Sequence, residues 1–482
     1  MALLLPAVLS LATGYLIVTL LLPFRPRHFC GWMFQLSLAA CYGVGVSSII
    51  YFLLQVCGLG HLLLADLIVL AILASAWLFL RSRIAATDVQ KTIRCDRFSP
   101  PWLQHALTAS FGIALMAALY SIIRRAITHP HGDGWDAFAI WNLHARFLFR
   151  GGSHWRDGFS ALIPWSHPDY PLLLPAAIAR SWTYLGHEDQ RVPGALGLLF
   201  AFSTVALLIS SLQLLRGSAA GLLAGLTLLS TPFFIEQGTA QYADVPLSFY
   251  LLAALALLAF HDRAENDRPE TDRPPASGGQ RQRFGLLVLS GLAASFAAWT
   301  KNEGLLFVLA IVSVRLLSAL RGKGRWRPLL VLTISLAPAM LLLIWFKHSI
   351  APPSELFSDQ SALHKLAMPA RYWITLKWYG KDFLRFGEWA FVPGTLLLVG
   401  LCFAASANAR NNNHEEREDR SSVLVLPLIL AGYFFIYLIT PYDLRWHLRF
   451  SLNRLFLQLW PSAVFLFFLA APIPTTPANS DS

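Results

Sequence analysis

The amino-acid sequence predicts an all-α, polytopic integral membrane protein. Of its 482 residues, 56% are hydrophobic and only 13% are charged, which is about half the charged fraction of an average soluble domain. About 13 apolar runs of roughly 16–24 residues recur along the chain, and about 20 residues are needed to cross the hydrocarbon core of a bilayer. This pattern excludes an ordinary cytosolic enzyme, a disordered protein and a disulfide-rich secreted module.

The first apolar run is expected to remain as a membrane helix. No basic residue precedes it and its positive charges follow it, which is unlike a cleaved signal peptide. No internal repeat and no broken span is evident in the sequence. The predicted spans are 2–22, 33–56, 61–80, 105–123, 193–214, 218–235, 245–261, 285–300, 305–320, 328–346, 389–405, 422–440 and 457–471.

The net charge of +11 is explained by cytoplasmic loops and anionic lipid rather than by nucleic acid. If the N-terminus lies outside, Lys and Arg are denser in the cytoplasmic loops than in the exterior ones, as the positive-inside rule requires. The five cysteines have no metal-ligand spacing and indicate no redox compartment. The cytoplasmic loops in this orientation are 23–31, 81–104, 216, 262–284, 321–327 and 406–421.

The polar segments divide into two kinds. The segments 262–283 and 408–422, and the tail 472–482, are rich in charged or small polar residues and are expected to be disordered. The exterior loop 124–192 instead alternates polar and apolar residues at helical spacing. Residues 137–150, with Phe138, Trp141, Ala145 and Leu148 on one face, and residues 170–185 are predicted to form helices along the outer membrane surface. The exterior segment 347–388 has a similar composition.

The segment HPHGDGWDAFAIWNLHARFL, residues 129–148, places a carboxylate at the start of a surface helix. It follows a membrane span directly, and Asp136 precedes the amphipathic stretch. The helix dipole keeps a carboxylate ionised there, which suits a general base that acts on a hydroxyl. The alternative is a helix N-cap, a position that Asp favours for geometric reasons.

Two further segments carry acidic candidates. In WSHPDYPLLLP, two prolines predict a rigid turn that brings His167 and Asp169 to the rim of an exterior cavity; the alternative is an interfacial turn with an aromatic anchor. In EQGTAQYADVPLSFYLL, Asp244 begins a membrane span. An ionisable residue is costly there, so a functional role is the default hypothesis, and a capped helix terminus in interfacial water is the alternative.

The cationic candidates lie in two other connections. The segment AAWTKNEGLLF joins two spans through so few residues that Lys301 is expected at the cavity edge, where its ammonium can bind a phosphate. The alternative is an exposed turn in which Lys301 pairs with Glu303. A predicted exterior loop, 441–456, holds cations whose partner is either lipid headgroups or a bound phosphate. These cations are Arg445, His447, Arg449 and Arg454.

The order of these motifs resembles a GT-C glycosyltransferase. The similar group uses polyprenyl-phosphate sugars and includes the protein O-mannosyltransferases and lipid A aminoarabinose transferases (glycosyltransferase family 39-like). In that family an Asp opens an amphipathic helix after a membrane span, as Asp136 does, and a Pro-rich turn follows, as in HPDYPLLLP. A later acidic residue precedes a span, as Asp244 does, and a helix ends in Thr-Lys, as at Lys301.

The resemblance implies three membrane regions and a tail: extra N-terminal helices over 1–104, a catalytic core over 105–320, C-terminal helices over 321–471 and the tail 472–482. It implies an inverting enzyme of the cell envelope, in the bacterial inner membrane with its site on the periplasmic face. The donor would be a polyprenyl-phosphate sugar, and the acceptor hydroxyl would belong to a glycan, lipid or protein. Besides these substrates, membrane lipid is the expected partner, and nucleic acid is not.

The resemblance also implies roles for individual residues. Asp136 would take the acceptor proton, and Asp244 would orient the acceptor or a cation. The positive side chains would stabilise the leaving phosphate as its charge develops. The implied substrate-binding residues are Lys301, Glu303, His167, Asp169, Arg445, His447 and Arg449.

Two alternative functions stay open at the level of sequence. A lipid-linked oligosaccharide ligase or polymerase would use similar exterior Arg and His residues. A lipid-linked glycan transporter would bind the same headgroup without chemistry, and broken spans or repeat symmetry would favour it. No cofactor is expected, although His129, His131 and Asp133 are ligand types that suit a divalent metal such as zinc.

Overall fold

The structure, a computed structural model, describes residues 4–22, 26, 28–81, 101–132, 134–266, 277–321, 326–358, 361–389 and 420–470. Every regular element within these ranges is helical, which satisfies the backbone polar groups where no water is present. Eleven helices in this part of the chain are long and apolar enough to cross a membrane. The chain is therefore an all-α polytopic membrane protein, as the sequence predicts.

In chain order, the described residues form 18 α-helices. The first six are α1 (Leu4–Leu21), α2 (Phe29–Cys57), α3 (Leu62–Arg81), α4 (Pro101–Thr128), α5 (Asn142–Arg150) and α6 (Leu173–Leu185). The next six are α7 (Arg191–Arg216), α8 (Ser218–Leu229), α9 (Pro232–Thr239), α10 (Asp244–Asn266), α11 (Ser277–Thr300) and α12 (Glu303–Arg321). The last six are α13 (Trp326–Ser349), α14 (Glu355–Ser358), α15 (Ala362–Leu366), α16 (Pro369–Arg385), α17 (Val425–Ile439) and α18 (Leu444–Ala470).

The predicted span 218–235 is not one straight helix. It is the pair α8 and α9, bent by 70°. The break falls at Thr231, which adopts an extended conformation (φ −88°, ψ 100°) because the following Pro232 disfavours a helical residue before it. The expectation that no span is broken was therefore wrong at this point.

Several predicted segments lie partly or wholly outside the described residues. The span 389–405 does so after its first residue, as do most of the segment 408–422 and the tail after residue 471. In the predicted linker 262–283, helices α10 and α11 continue to residue 266 and from residue 277, and residues 267–276 lie outside the described part.

Helix α10 is the centre of the bundle. It packs against α7, α11 and α18, and every side chain from residue 243 to residue 258 is buried. A helix that is apolar on all sides is stable only when protein or lipid surrounds it. Because Asp244 is its first residue, this packing places a carboxylate inside the protein at one end of the bundle.

The segment before α6 forms helices where the sequence predicts them, with two differences. Trp141 and Leu148 are buried, but Phe138 is 54% exposed. The turn Ala137–Trp141 is a π-helix, whose wider turn moves Phe138 off the face predicted from 3.6-residue periodicity. Helix α6 is covered by α2 and α5 instead of lying open along the membrane surface, because its small and apolar side chains allow close packing on several sides.

The predicted exterior loop 441–456 is the first half of the long helix α18, so its assignment as a loop was wrong. Leucines recur there every three or four residues, and they are buried against the bundle. The arginines between them lower the mean hydropathy without breaking this helical period. The buried leucines are Leu444, Leu448, Leu452, Leu455 and Leu459.

Candidate functional site

Asp136 is bound to an arginine from the other end of the sequence. Its Oδ2 accepts a hydrogen bond of 2.6 Å from Nη1 of Arg454, a residue of α18. The carboxylate makes no hydrogen bond that caps its own helix, so the N-cap alternative does not describe this residue. The Asp136 side chain remains 25% exposed, which leaves part of the carboxylate open to a substrate.

Asp244 lies behind this pair and is completely buried. Its Oδ2 accepts a hydrogen bond of 2.9 Å from Nε of Arg454. Its Oδ1 accepts bonds of 2.9 Å from Nζ of Lys301 and 2.6 Å from Nε2 of Gln458. The hydroxyl of Tyr433 donates to Oε1 of Gln458 at 2.8 Å, which fixes the orientation of that amide. Asp244 therefore connects α10, α11 and α18.

Lys301 lies in the two-residue connection between α11 and α12. It is 4% exposed, and its Nζ lies 2.9 Å from Asp244 and 2.9 Å from Oε1 of Glu303. Burial opposes the charged form of Lys301, but the carboxylates of Asp244 and Glu303 outweigh it and raise the pKa of Lys301 above its usual value. The predicted Lys–Glu pair is present, but it is buried rather than exposed.

Asn302 links this cluster to a second one. Its Nδ2 donates to Oδ2 of Asp169 at 3.0 Å, and its Oδ1 accepts from Nζ of Lys347 at 2.7 Å. The same ammonium donates to the carbonyl oxygen of Asp169 at 2.6 Å. Asp169 therefore lies beside the α11–α12 connection. The two clusters adjoin there, because Lys301 and Asn302 are consecutive residues, and together they form the polar network of the site.

A strained residue holds the loop that carries Asp136. Gln241 has a positive φ of 62°, which costs a non-glycine residue free energy unless the surroundings enforce it. Its Oε1 accepts a 2.9 Å bond from Asn142, and its Nε2 donates to the carbonyl of Pro130 at 3.1 Å. Gln241 lies three residues before Asp244 and thus fixes the position of the Asp136 loop relative to α10.

His167, predicted at the cavity rim, and the neighbouring His144 are both held as neutral rings. Burial, together with nearby His167, lowers the pKa of His144 to about 3. Burial also lowers the pKa of His167, although the carboxylate of Asp169 acts in the opposite direction. His167 stacks on Tyr170 with ring centroids 4.7 Å apart. Near neutral pH both rings can share hydrogen bonds but carry no charge that would attract a phosphate.

The remaining predicted cations do not join the network. Arg445 and Arg449 are exposed, and Arg449 lies over the ring of Phe450. His447 shares a 2.8 Å hydrogen bond with Oγ1 of Thr440. Helix α18 thus divides its basic residues: Arg445 and Arg449 face outward, His447 is partly buried, and Arg454 faces the carboxylates.

The described residues give no support to the metal site considered at His129, His131 and Asp133. Within those ranges no group of three or more His, Cys, Asp or Glu side chains is arranged to hold a metal ion. His129 and His131 are exposed, and Asp133 lies outside the described part of the chain.

No protein-family model matches this chain, and no curated protein or solved structure does either. The argument for a function therefore rests on the residues and their geometry.

Three residues of the network were missed as site residues: Gln458, Asn302 and Lys347. Arg454 was noted as a cation but not placed beside the carboxylates. A signal for it exists, because Arg454 and Gln458 are four residues apart, so they lie on one helical face beside the apolar run that follows. Polar residues in such a helix usually face the bundle interior. The sequence offered no comparable signal for Lys347, which follows an apolar run as many lysines at helix ends do.

The network holds an excess of negative charge. Asp136, Asp244 and Glu303 are three carboxylates, while Lys301 and Arg454 are two cations. Asp169 and Lys347 balance each other nearby. The most exposed of these carboxylates, on Asp136, can accept a proton, and the two cations can stabilise negative charge that develops beside them.

Proposed function

We propose that the chain is a membrane glycosyltransferase of the GT-C type. It moves a sugar from a polyprenyl-phosphate donor to an acceptor hydroxyl, with inversion at the anomeric carbon. The observation that carries the proposal is the convergence of four distant segments, near residues 136, 244, 301 and 454, on one hydrogen-bonded network. The segments near residues 136, 244 and 301 are among those on which the resemblance to GT-C glycosyltransferases is based.

The proposed reaction is a single displacement. The acceptor oxygen attacks the anomeric carbon and forms the new glycosidic bond, and the bond from that carbon to the phosphate oxygen breaks. Asp136 accepts the proton of the acceptor hydroxyl. The donor phosphate carries one negative charge as a diester and leaves with two as a monoester, and the second charge matches the proton gained by Asp136.

The buried residues of the network support the reacting ones. Asp244 is inaccessible, so its role is to hold Arg454 and Lys301 rather than to touch the acceptor. The positive charge of these two residues stabilises the leaving phosphate. Fixed groups of this kind act without reorganising during the reaction, which makes them more effective than water.

The proposal is tested with purified protein in vesicles that contain synthetic polyprenyl-phosphate sugars, with hexose and pentose donors in parallel. Release of polyprenyl monophosphate is measured with membrane lipid extract, or water, as the acceptor. We expect release by the wild type and by Asp157→Asn, which removes an exposed carboxylate outside the network. Absence of release with every donor would contradict the proposal.

A second candidate is a transporter of lipid-linked glycans, and the 70° break between α8 and α9 is the observation that favours it. Broken helices commonly line transport sites. In the same vesicles, this candidate predicts movement of the intact donor between leaflets without release of monophosphate. Fluorescently labelled donor that becomes inaccessible to an external quencher would report that movement.

A further inference from the structure

The guanidinium of Arg454 is divided unequally between two carboxylates. Nε and Nη2 each lie 2.9 Å from Oδ2 of the completely buried Asp244. Nη1 alone reaches Asp136, whose side chain is 25% exposed. The ring of Tyr242 covers the guanidinium, with 4.6 Å between the ring centroid and Cζ. The contact with Asp244 is therefore the fixed one, and the contact with Asp136 is the one that a bound molecule can replace.

We propose that Arg454 changes partner during the reaction: the donor phosphate takes its Nη1 group from Asp136, and this exchange frees Asp136 to act as the base. The inference rests on the proposed function. In the structure the carboxylate that must accept a proton is held by a cation at 2.6 Å. That contact engages Oδ2 and orients the carboxylate toward Arg454 instead of toward a substrate. When the donor phosphate releases Asp136 from Arg454, donor binding is coupled to the activation of the base.

The charges balance through the whole exchange. Before the donor binds, Arg454 neutralises Asp136; after binding, it neutralises the single charge of the phosphodiester. During transfer Asp136 gains a proton and becomes neutral, and the phosphate gains its second charge. The guanidinium then faces the monoester through Nη1, and a hydrogen bond between two charged groups is stronger than one between neutral groups. When the product leaves and Asp136 loses its proton, the original ion pair forms again.

The proposal predicts that the donor binds before the acceptor. It also predicts an effect that a static ion pair does not have. If Asp136 competes with the phosphate for Nη1, removal of its charge must strengthen phosphate binding. If Arg454 only positions Asp136 and never touches the phosphate, the same change leaves phosphate binding as it is.

The test measures equilibrium binding of synthetic polyprenyl monophosphate, without a sugar, to purified protein in lipid nanodiscs. We expect Asp136→Asn to bind it about tenfold more tightly than the wild type, which corresponds to about 1.4 kcal/mol. Arg454→Gln should bind it at least tenfold more weakly. The double variant should behave like Arg454→Gln, because the effect of residue 136 acts through Arg454. Glu188→Gln, which removes a carboxylate from a pair with Arg146 and Arg150, controls for net charge and should leave binding unchanged.

The outcomes separate this inference from the proposed function. If the wild type binds the monophosphate and releases it from the donor, but Asp136→Asn binds no more tightly, the partner exchange is wrong and the enzyme assignment stands. Tighter binding that persists in the double variant also overturns the exchange. If the wild type neither binds nor releases the monophosphate, both proposals fail. Asp136→Asn keeps the Arg454–Asp244 contacts, so its folding can be verified by its thermal midpoint.

Discussion

Lys301→Met removes one of the two cations of the buried network and should be among the most destabilising substitutions in the protein. Lys301 is 4% exposed and contacts two carboxylates at 2.9 Å each. Without it, Asp244 and Glu303 lose a shared cation, and three carboxylates face one guanidinium. Removal of one partner from a buried ion pair costs about 3–5 kcal/mol, a large fraction of the roughly 5–15 kcal/mol that stabilises a typical protein.

The same reasoning predicts a rescue. Glu303→Gln removes a carboxylate that has lost its cation in the Lys301→Met background, so the double variant should be more stable than Lys301→Met by about 1–3 kcal/mol. In the wild-type background, where Glu303 is paired, the same change should reduce stability. Thermal unfolding in detergent, followed by the fluorescence of the 16 tryptophans, gives this ranking. Lys377→Met is the exposed control, and its effect should stay within about 0.5 kcal/mol.

The pH dependence has a definite sign. The pKa of Lys301 is raised in the folded protein. The contribution of its charge to the free energy of unfolding is therefore complete below the pKa of an unfolded lysine, about 10.4. It is lost only as pH rises through the higher folded value. The stability difference between wild type and Lys301→Met should thus be constant from about pH 6 to pH 10. Wild-type stability in Lys301→Met, or a loss from Glu303→Gln that is equal in both backgrounds, would refute the argument.

Three further predictions concern the surroundings of the network. His144 has a folded pKa of about 3, below that of an unfolded histidine, so protonation of the unfolded state should destabilise the wild type as pH falls from about 6.5 towards 3. Unfolding midpoints should show this loss to be smaller in His144→Gln and unchanged in His154→Gln, whose histidine is exposed; equal pH profiles in all three would contradict it. Arg180 and Asp66 form a buried pair at 2.7 Å that ties α6 to α3; either Arg180→Met or Asp66→Leu alone should cost about 3–5 kcal/mol, and the double variant less than the sum. If the losses in free energy of unfolding of the two single variants add exactly in the double variant, Arg180 and Asp66 do not interact as a buried pair. Gln241→Ala should be less stable than Gln241→Gly by about 1 kcal/mol, because glycine tolerates the positive φ; the opposite order would contradict the strained conformation.

The fold class and most helices could be predicted because length and hydropathy constrain a membrane chain strongly. Two failures have a common cause. The break at Thr231 depends on Pro232 inside an apolar run, and the helical start of α18 carries arginines that lower its mean hydropathy, so averaging over a run hides both features. In α18 the regular spacing of the leucines predicts the helix better than mean hydropathy does.

The candidate site was predicted in part. Asp136, Asp169, Asp244 and Lys301 were singled out because charged residues beside apolar helices are costly, and the structure brings all four into one network. What sequence alone could not give was the pairing. The contact between Asp136 and Arg454 joins residues 318 positions apart, and only the packing of α18 against α10 reveals that one guanidinium serves both carboxylates.

The central claim is that Asp136 is the base of a sugar-transfer reaction at this network. Its most direct test is the rate of polyprenyl-monophosphate release from a polyprenyl-phosphate sugar by wild type and Asp136→Asn, at saturating donor in the same vesicles. A general base contributes about 10²–10⁴ to the rate. We therefore predict a loss of at least about 100-fold in Asp136→Asn with folding and binding of the monophosphate retained. Release at the wild-type rate by the folded variant would contradict the claim.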